Sequence, residues 1–272
     1  MPELPEVETT RTSLLPLIGQ TVQSVTVHQP RLRWPVPDDL ARLQGQRLLS
    51  LSRRAKYILA QFEQDGLMLH LGMSGSFAMQ AAAQPLRKHD HVLINFDHTQ
   101  LRYHDPRRFG SILWLDEHGQ HPLLSKLGPE PLSDAFDAHY LQQQLQHKKT
   151  AIKVALMDNA IVVGVGNIYA TEALFRTSIH PARPASTLSS NEISALVDVI
   201  REILQTAIAL GGSTLRDYVN ASGETGYFQQ TLLAYGRAGQ PCTHCKTPIQ
   251  TLKLGQRASA FCPVCQSHHP QP

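Results

Sequence analysis

The sequence predicts an α+β protein: a two-layered antiparallel β-sandwich with flanking helices, then a helical domain, then a small cysteine-pinned β-hairpin. Three observations predict this. Between about residues 21 and 116, short alternating or apolar stretches are joined by turns, with no helical crossovers between them. Beyond residue 136 the apolar spacing becomes helical. All four cysteines lie beyond residue 241, as two C-x2-C pairs.

In chain order, a first helix is expected from about Pro5 to Leu15, with Val7, Leu14 and Leu15 among its apolar residues. Pro5 suits the first helical position, and Glu6 and Glu8 suit a first turn that favours negative charge. The strands follow as "TVQSVTVH", "RLLSLSRR", "KYILAQF", "GLMLHLGMSGS" up to its glycines, "HVLINFD", "LRYHD" and "SILWLD". "GQHPLLSKLGPEPLSDAF", rich in Gly, Pro and Ser, reads as a connection. Helices are expected over 137–147, in "TAIKVALMD", "NIYATEALFRT" and "NEISALVDVIREILQTAIAL". A Gly-rich polar stretch, "GGSTLRDYVNASGETGYF", precedes the hairpin. The expected domains are 1–133, 134–228 and 229–272. No internal repeat or low-complexity segment interrupts them.

At 272 residues, 42% hydrophobic and 17% charged, the composition is that of an ordinary globular protein. No apolar run reaches the ~18 residues of a membrane span, and no signal segment opens the chain. The net charge is +3, and the basic charge is concentrated. From Thr225 to Pro272 there is no Asp or Glu, whereas Arg237, Lys246, Lys253 and Arg257 all fall there. A basic terminal module on a nearly neutral body favours phosphate contact.

Cys242, Cys245, Cys262 and Cys265 read C-x2-C, sixteen residues, C-x2-C, the spacing of a four-thiolate zinc site. Disulfides are the alternative, and the absence of a secretion signal speaks against them. His244, His268 and His269 are read as bystanders. Turn residues between short apolar stretches in "KTPIQTLKLGQRASAF" predict a β-hairpin whose role is to present side chains.

Three further features carry chemistry. The chain opens "MPELPE", and trimming of Met1 exposes the secondary amine of Pro2 beside Glu3. A terminal amine has a pKa of about 7.7–8.0 against about 10.4 for lysine, so more of it is uncharged and nucleophilic near neutral pH. The plain alternative is a helix start. In "MDNAIVVGVGNIYATEALF", Gly164 and Gly166 bracket a turn, and Asn167 is placed to cap a helix whose N–H groups can hold a phosphate. A dinucleotide-binding glycine loop fails here, since no strand leads in and its third glycine position is Tyr169. A structural turn remains open. Basic residues recur in "SRRAK" (Arg53, Arg54, Lys56), "HDPRRFGS" (Arg107, Arg108, beside Phe109) and "HKKTAIK" (Lys148, Lys149, Lys153). Met73 in "HLGMSGS" and Phe109 suit wedges that unstack bases. Solvated charge and core packing are the plain readings of these residues.

In combination, "MPELPEVET", "RRAKYIL", "HLGMSGS", "KHDHV", "DPRRFG", "LGPEPL", "KKTAIK", "VVGVGNIYATEALF", "IHP" and the C-x2-C pair resemble the formamidopyrimidine-DNA glycosylase family of bacteria over essentially the whole chain. Leucine after the glutamate distinguishes the opening from the related endonuclease VIII enzymes, which act on oxidised pyrimidines. The resemblance implies a β-sandwich, a helix–two-turn–helix domain and a hairpin with one structural Zn2+. It implies removal of oxidised purines (8-oxoguanine, formamidopyrimidines) from double-stranded DNA, followed by β,δ-elimination. Pro2 corresponds to the nucleophile and Glu3 to the acid. Lys56 matches the proton donor of β-elimination, with a phosphate or base contact equally open. Arg257 matches the hairpin arginine associated with δ-elimination. His70, His89, Arg108, Lys149 and Asn167 match DNA-contacting positions, and Met73, Arg108 and Phe109 the trio that fills the gap left by a flipped nucleotide. Ser213 to Phe228 resembles the loop that closes over the flipped base. A bacterial, cytoplasmic, nucleoid-associated monomer is the corresponding expectation. The rivals are a non-catalytic zinc-dependent DNA-binding protein, which has no need of Pro2, Glu3 and Lys56, and an N-terminal-proline isomerase, which has no use for a zinc hairpin.

Overall fold

In the computed structural model, which describes residues 2–81, 84–213 and 228–267, the strand-rich region folds as eight strands. In chain order they are β1 (Val22–Val27), β2 (Leu48–Arg54), β3 (Tyr57–Phe62), β4 (Gly66–His70), β5 (Ser76–Gln80), β6 (Asp90–Phe96), β7 (Gln100–His104) and β8 (Ser111–Trp114). They form two four-stranded antiparallel sheets, ordered β1-β6-β7-β5 and β2-β3-β4-β8. Strand β5 was not anticipated. It follows directly on the glycine turn after β4, and only Phe77 of its residues is fully buried, so its alternation is faint.

The two sheets share one core. Leu48, Leu51, Ile58, Phe62, Leu67 and Ile112 come from one sheet, and Phe77, Val92, Ile94, Phe96, Leu101 and Tyr103 from the other. Period-two alternation places each set on one face. Helix α1 (Leu4–Ser13) adds Val7 to this core, and Leu14 and Leu17 follow. A charged tie fixes it to β2: Glu8 accepts from Arg11 (2.6 Å) and from Arg53 (2.9 Å). Burial would raise the Glu8 carboxyl, but hydrogen bonds and charge from Arg11 and Arg53 outweigh it and hold the pKa below its usual value.

The chain divides into two compact units, Met1–Ser125 with Ile208–Gln229, and Lys126–Ala207 with Gln230–Pro272. The second contains α2 (Ala138–Leu145), α3 (Ile152–Leu156) and α4 (Asn167–Arg176), and most of α5 (Ser190–Ala209). Asp137 caps α2 by accepting from the Tyr140 N–H at 2.7 Å. The hairpin is β9 (Gln250–Leu254) against β10 (Arg257–Phe261), antiparallel. Its turn uses Gly255 and Gln256, both at positive φ (+49° and +63°), the geometry of a tight two-residue hairpin. Phe175 of α4 packs with Ala234, Cys242, Ile249, Ala260 and Cys262. Glu172, fully buried on α4, accepts the backbone N–H groups of Leu233, Ala234 and Tyr235 at 2.8–2.9 Å. Among the described residues, no helix is long and apolar enough to cross a membrane.

Candidate catalytic site and nucleic-acid interface

Pro2 and Glu3 are both buried at the head of α1, with Glu3 as the N-cap residue. The Glu3 N–H donates to Glu6 Oε2 at 2.8 Å, one arm of a capping box. The other oxygen of Glu6, itself only 2% exposed, accepts from Ser213 N (2.7 Å) and Ser213 Oγ (2.8 Å). One buried carboxylate therefore holds both the chain start and the root of the segment after Ser213. The Phe228 N–H donates to Gly212 O at 3.2 Å, so the two ends of that segment meet. Residues 214–227, the body of the expected covering loop, lie outside the described residues.

Lys56 occupies the β2–β3 turn, where Ala55 takes a positive φ of 54°. Its neighbour Tyr57 pairs with His70 across β3 and β4, ring centroids 4.9 Å apart. His70 Nδ1 accepts the Gly72 N–H at 3.0 Å. Burial, then the positive charges of Arg33 and Lys56, lower the His70 pKa to about 4, against an opposing pull from Asp105. His70 is therefore a neutral donor at physiological pH. Arg53, part of the same basic stretch, is committed to Glu8.

The loops bearing Met73 and Phe109 are fused backbone to backbone. Gly72 has φ +68°, and a Cβ there would lie 2.4 Å from Gly110 N and from the Phe109 carbonyl carbon. A Cβ on Gly110 would lie 1.8 Å from Tyr103 Oη. Fully buried Asp105 joins the loops. It accepts from Ser74 Oγ (2.8 Å), Tyr103 Oη (2.9 Å) and Gly110 N (2.9 Å), while Arg107 N donates to Ser74 Oγ (3.3 Å). Met73 is half-buried, and Phe109 is 44% exposed.

The two arginines beside Phe109 diverge. The Arg107 guanidinium stacks over the Phe109 ring at 4.9 Å. Arg108, at φ +57°, lines a cavity of about 360 Å3 with His28, Lys88, His89 and His91. Sequence reading grouped Arg107 with the basic residues and gave it no role of its own; the turn through Arg108, at positive φ, is what brings its guanidinium over Phe109.

In the second unit, Lys149 is exposed ahead of α3. Asn167 does not cap α4, as had been expected. Gly166 is the N-cap, in extended conformation, and Asn167 is the first helical residue. Its Oδ1 is buried with no hydrogen-bond partner among the described residues. Arg257 is exposed at the start of β10. The four cysteine sulfurs lie within 4.8 Å of one another, with Cys242 Sγ to Cys265 Sγ at 3.9 Å and Cys245 Sγ to Cys262 Sγ at 3.4 Å. A tetrahedron with Zn–S bonds of about 2.3 Å has edges of about 3.8 Å, so the four thiolates fit one structural zinc.

Fold and site thus define a class: a two-sheet domain with a carboxylate at its chain start, combined with a helical module and a four-cysteine zinc hairpin. The chain belongs to the formamidopyrimidine-DNA glycosylase family. It matches the models for the Formamidopyrimidine-DNA glycosylase N-terminal domain over residues 1–112, for the H2TH domain of the same enzymes over 127–219, and for the zinc finger found in FPG and IleRS over 239–267. It is 67% identical over 267 residues to the formamidopyrimidine-DNA glycosylase of Acinetobacter baylyi, covering 98% of each chain. Identity to that of Acinetobacter baumannii is 63% over 266 residues, covering 98% of this chain and 97% of the other. A Lactococcus lactis FPG mutant, G226P, in complex with a Fapy-dG containing DNA, superposes with a TM-score of 0.91 at 38% identity, covering 98% of this chain and 100% of the other. MutM in complex with carbocyclic 8-oxo-G containing DNA gives 0.89 at the same identity and coverage.

Proposed function

We propose that this chain is a bifunctional DNA glycosylase and abasic-site lyase of base excision repair, acting on oxidised purines in duplex DNA. The observation that carries the reading is the buried head of α1, where Glu3 sits beside Pro2 and is held by Glu6. With Met1 removed, the Pro2 amine attacks C1′ of the damaged nucleotide and the glycosidic C–N bond breaks. Glu3 supplies the proton that assists base departure and ring opening. A secondary amine leaves an iminium with no N–H to lose, so it stays cationic and acidifies C2′. Loss of a C2′ proton expels the 3′ phosphate, and a second elimination expels the 5′ phosphate. Lys56 is the proton donor of the first elimination or a phosphate contact beside neutral His70. Arg257 grips phosphate and serves the second elimination. The zinc holds the hairpin and takes no part in the chemistry.

DNA contacts follow the same division. His70, His89, Arg108 and Lys149 engage phosphates, and Asn167 does so at the N-terminus of α4, where its side-chain NH2 can donate alongside the first backbone N–H groups. Met73 and Phe109 fill the gap left by the flipped nucleotide. The stacking of Arg107 on Phe109 supports Arg107, rather than Arg108, as the arginine that reaches the orphaned base. The three segments 1–133, 134–228 and 229–272 act as catalytic, helical and zinc domains of a monomeric, cytoplasmic, nucleoid-associated enzyme.

The test is incubation with a duplex containing 8-oxoguanine in the presence of borohydride. A covalent adduct mapped to an N-terminal peptide starting at Pro2 is expected. Glu3→Gln should nearly abolish excision yet still trap on a ready-made abasic site, whose open aldehyde needs no acid help. Full activity of protein that retains Met1 would overturn the assignment, and binding without any adduct would favour a non-catalytic damaged-DNA-binding protein.

A further inference from the structure

Lys153 belongs to a basic stretch, yet its side chain is among the most buried in the molecule, at 1% exposure. It lies in α3, and its Nζ donates to Ser259 Oγ at 2.9 Å and to Ala258 O at 3.3 Å. These two residues follow Arg257 directly along β10. On the other side of Arg257, the hairpin turn also rests on α3: a Cβ on Gly255 would lie 3.3 Å from Val154 Cγ2. Lys153, Val154, Gly255 and Arg257 line one cavity of about 390 Å3. The hairpin is therefore gripped immediately before and after the arginine, while Arg257 itself remains exposed. Burying an ammonium is costly unless it is hydrogen-bonded, so a lysine at this position is explained by the ties it makes.

We propose that Lys153 is a positioning residue for Arg257, setting where the guanidinium meets the phosphate that leaves in the second elimination. The inference rests on the role given to Arg257 above. Lys153→Met keeps the apolar stem and loses the ties to Ser259 Oγ and Ala258 O. A misplacement of about 1 Å is enough to slow a positioned step by an order of magnitude or more. In single-turnover reactions at saturating enzyme, Lys153→Met should release 8-oxoguanine within about twofold of the wild-type rate. It should form the δ-elimination product at least about tenfold more slowly, so that β-product accumulates. Zinc content should stay at one per chain. Lys153→Arg should restore part of the δ-product, and adding Arg257→Ala to Lys153→Met should cause no further change in the β to δ partition. Ser259→Ala, which removes one acceptor and keeps the lysine with its tie to Ala258 O, should shift the partition in the same direction by a smaller factor and decides the matter if Lys153→Met does not fold. An unchanged partition in the folded variants overturns the proposal. So does zinc loss in Lys153→Met, or base release that falls in parallel with δ-product. A wild-type protein that forms no adduct at Pro2 would instead count against the enzyme reading itself.

Discussion

The sandwich and the zinc hairpin are both antiparallel β-structure, and they are stabilised in different ways. Two inner faces and α1 give the sandwich one continuous apolar core drawn from every one of its sheets' strands. Among the described residues, the hairpin region contributes Ile249, Ala260, Cys242 and Cys262, with Cys265 packed against them, to a small cluster completed by Phe175 and Ala234. At roughly 25 cal/mol per Å2 of buried apolar surface, so small a cluster does not offset the entropy of ordering the segment. What compensates is specific bonding: four thiolates on a metal, Glu172 on three successive N–H groups, and Lys153 behind Arg257. Diffuse burial tolerates the loss of one group, whereas a region held by a few strong bonds does not.

Zinc removal should separate the two most widely. Cys262→Ser, or chelation, is expected to abolish DNA binding while the sandwich keeps its own cooperative thermal transition, followed by near-UV circular dichroism and band shift. Full affinity in zinc-free protein would show that the hairpin stands on packing alone.

A second comparison lies within the sandwich, between Arg107 and Arg108. Cytosine offers acceptors to a guanidinium fork, whereas adenine presents an amino donor in the corresponding region. Excision of 8-oxoguanine should therefore be faster opposite cytosine than opposite adenine. Arg107→Ala should narrow that ratio by about fivefold or more, as for loss of a bidentate base contact. Arg108→Ala should weaken binding to all duplexes and leave the ratio alone. The opposite pattern would return the orphaned base to Arg108.

Smaller effects are expected from single charges. Arg257→Ala should lower affinity evenly across sequences and reduce the slope of log affinity against log salt by about one. His70 titrates near 4 in the folded protein against a usual 6.5. The unfolded chain therefore binds a proton that the folded one refuses, and stability falls as pH drops from about 6.5 towards 4. His70→Gln should flatten the melting temperature over that window, measured by differential scanning calorimetry.

Much of this architecture was legible in the chain. The strands after residue 20 alternate or carry apolar runs, the helices beyond 136 show their period, and the cysteine spacing specifies a tetrahedron. Illegible features share one physical cause: they join residues far apart in sequence through backbone groups that carry no side-chain signature. Glu6 reaching Ser213 and Glu172 reaching Leu233 to Tyr235 are of this kind, while Asp105 collects the hydroxyls of Ser74 and Tyr103 with Gly110 N in a pattern no local period encodes. Local rules also misassigned the start of α4. Asn is a favoured N-cap, but the extended backbone at Gly166 takes that place and moves Asn167 into the first turn. Charge was misleading in the same way, because Arg53 and Lys153 sit in basic stretches and are spent on internal bonds.

The fused loops beneath Met73 and Phe109 also bear on how the chain can change over time. Gly72 and Gly110 admit no side chain, because any Cβ would strike the neighbouring backbone or the Tyr103 hydroxyl. Substitutions that survive in this region will therefore concentrate at the tips, Met73, Arg107 and Phe109, whose side chains extend from a frame that does not move with them. A lineage can then exchange one tip side chain for another while inheriting the supporting backbone intact.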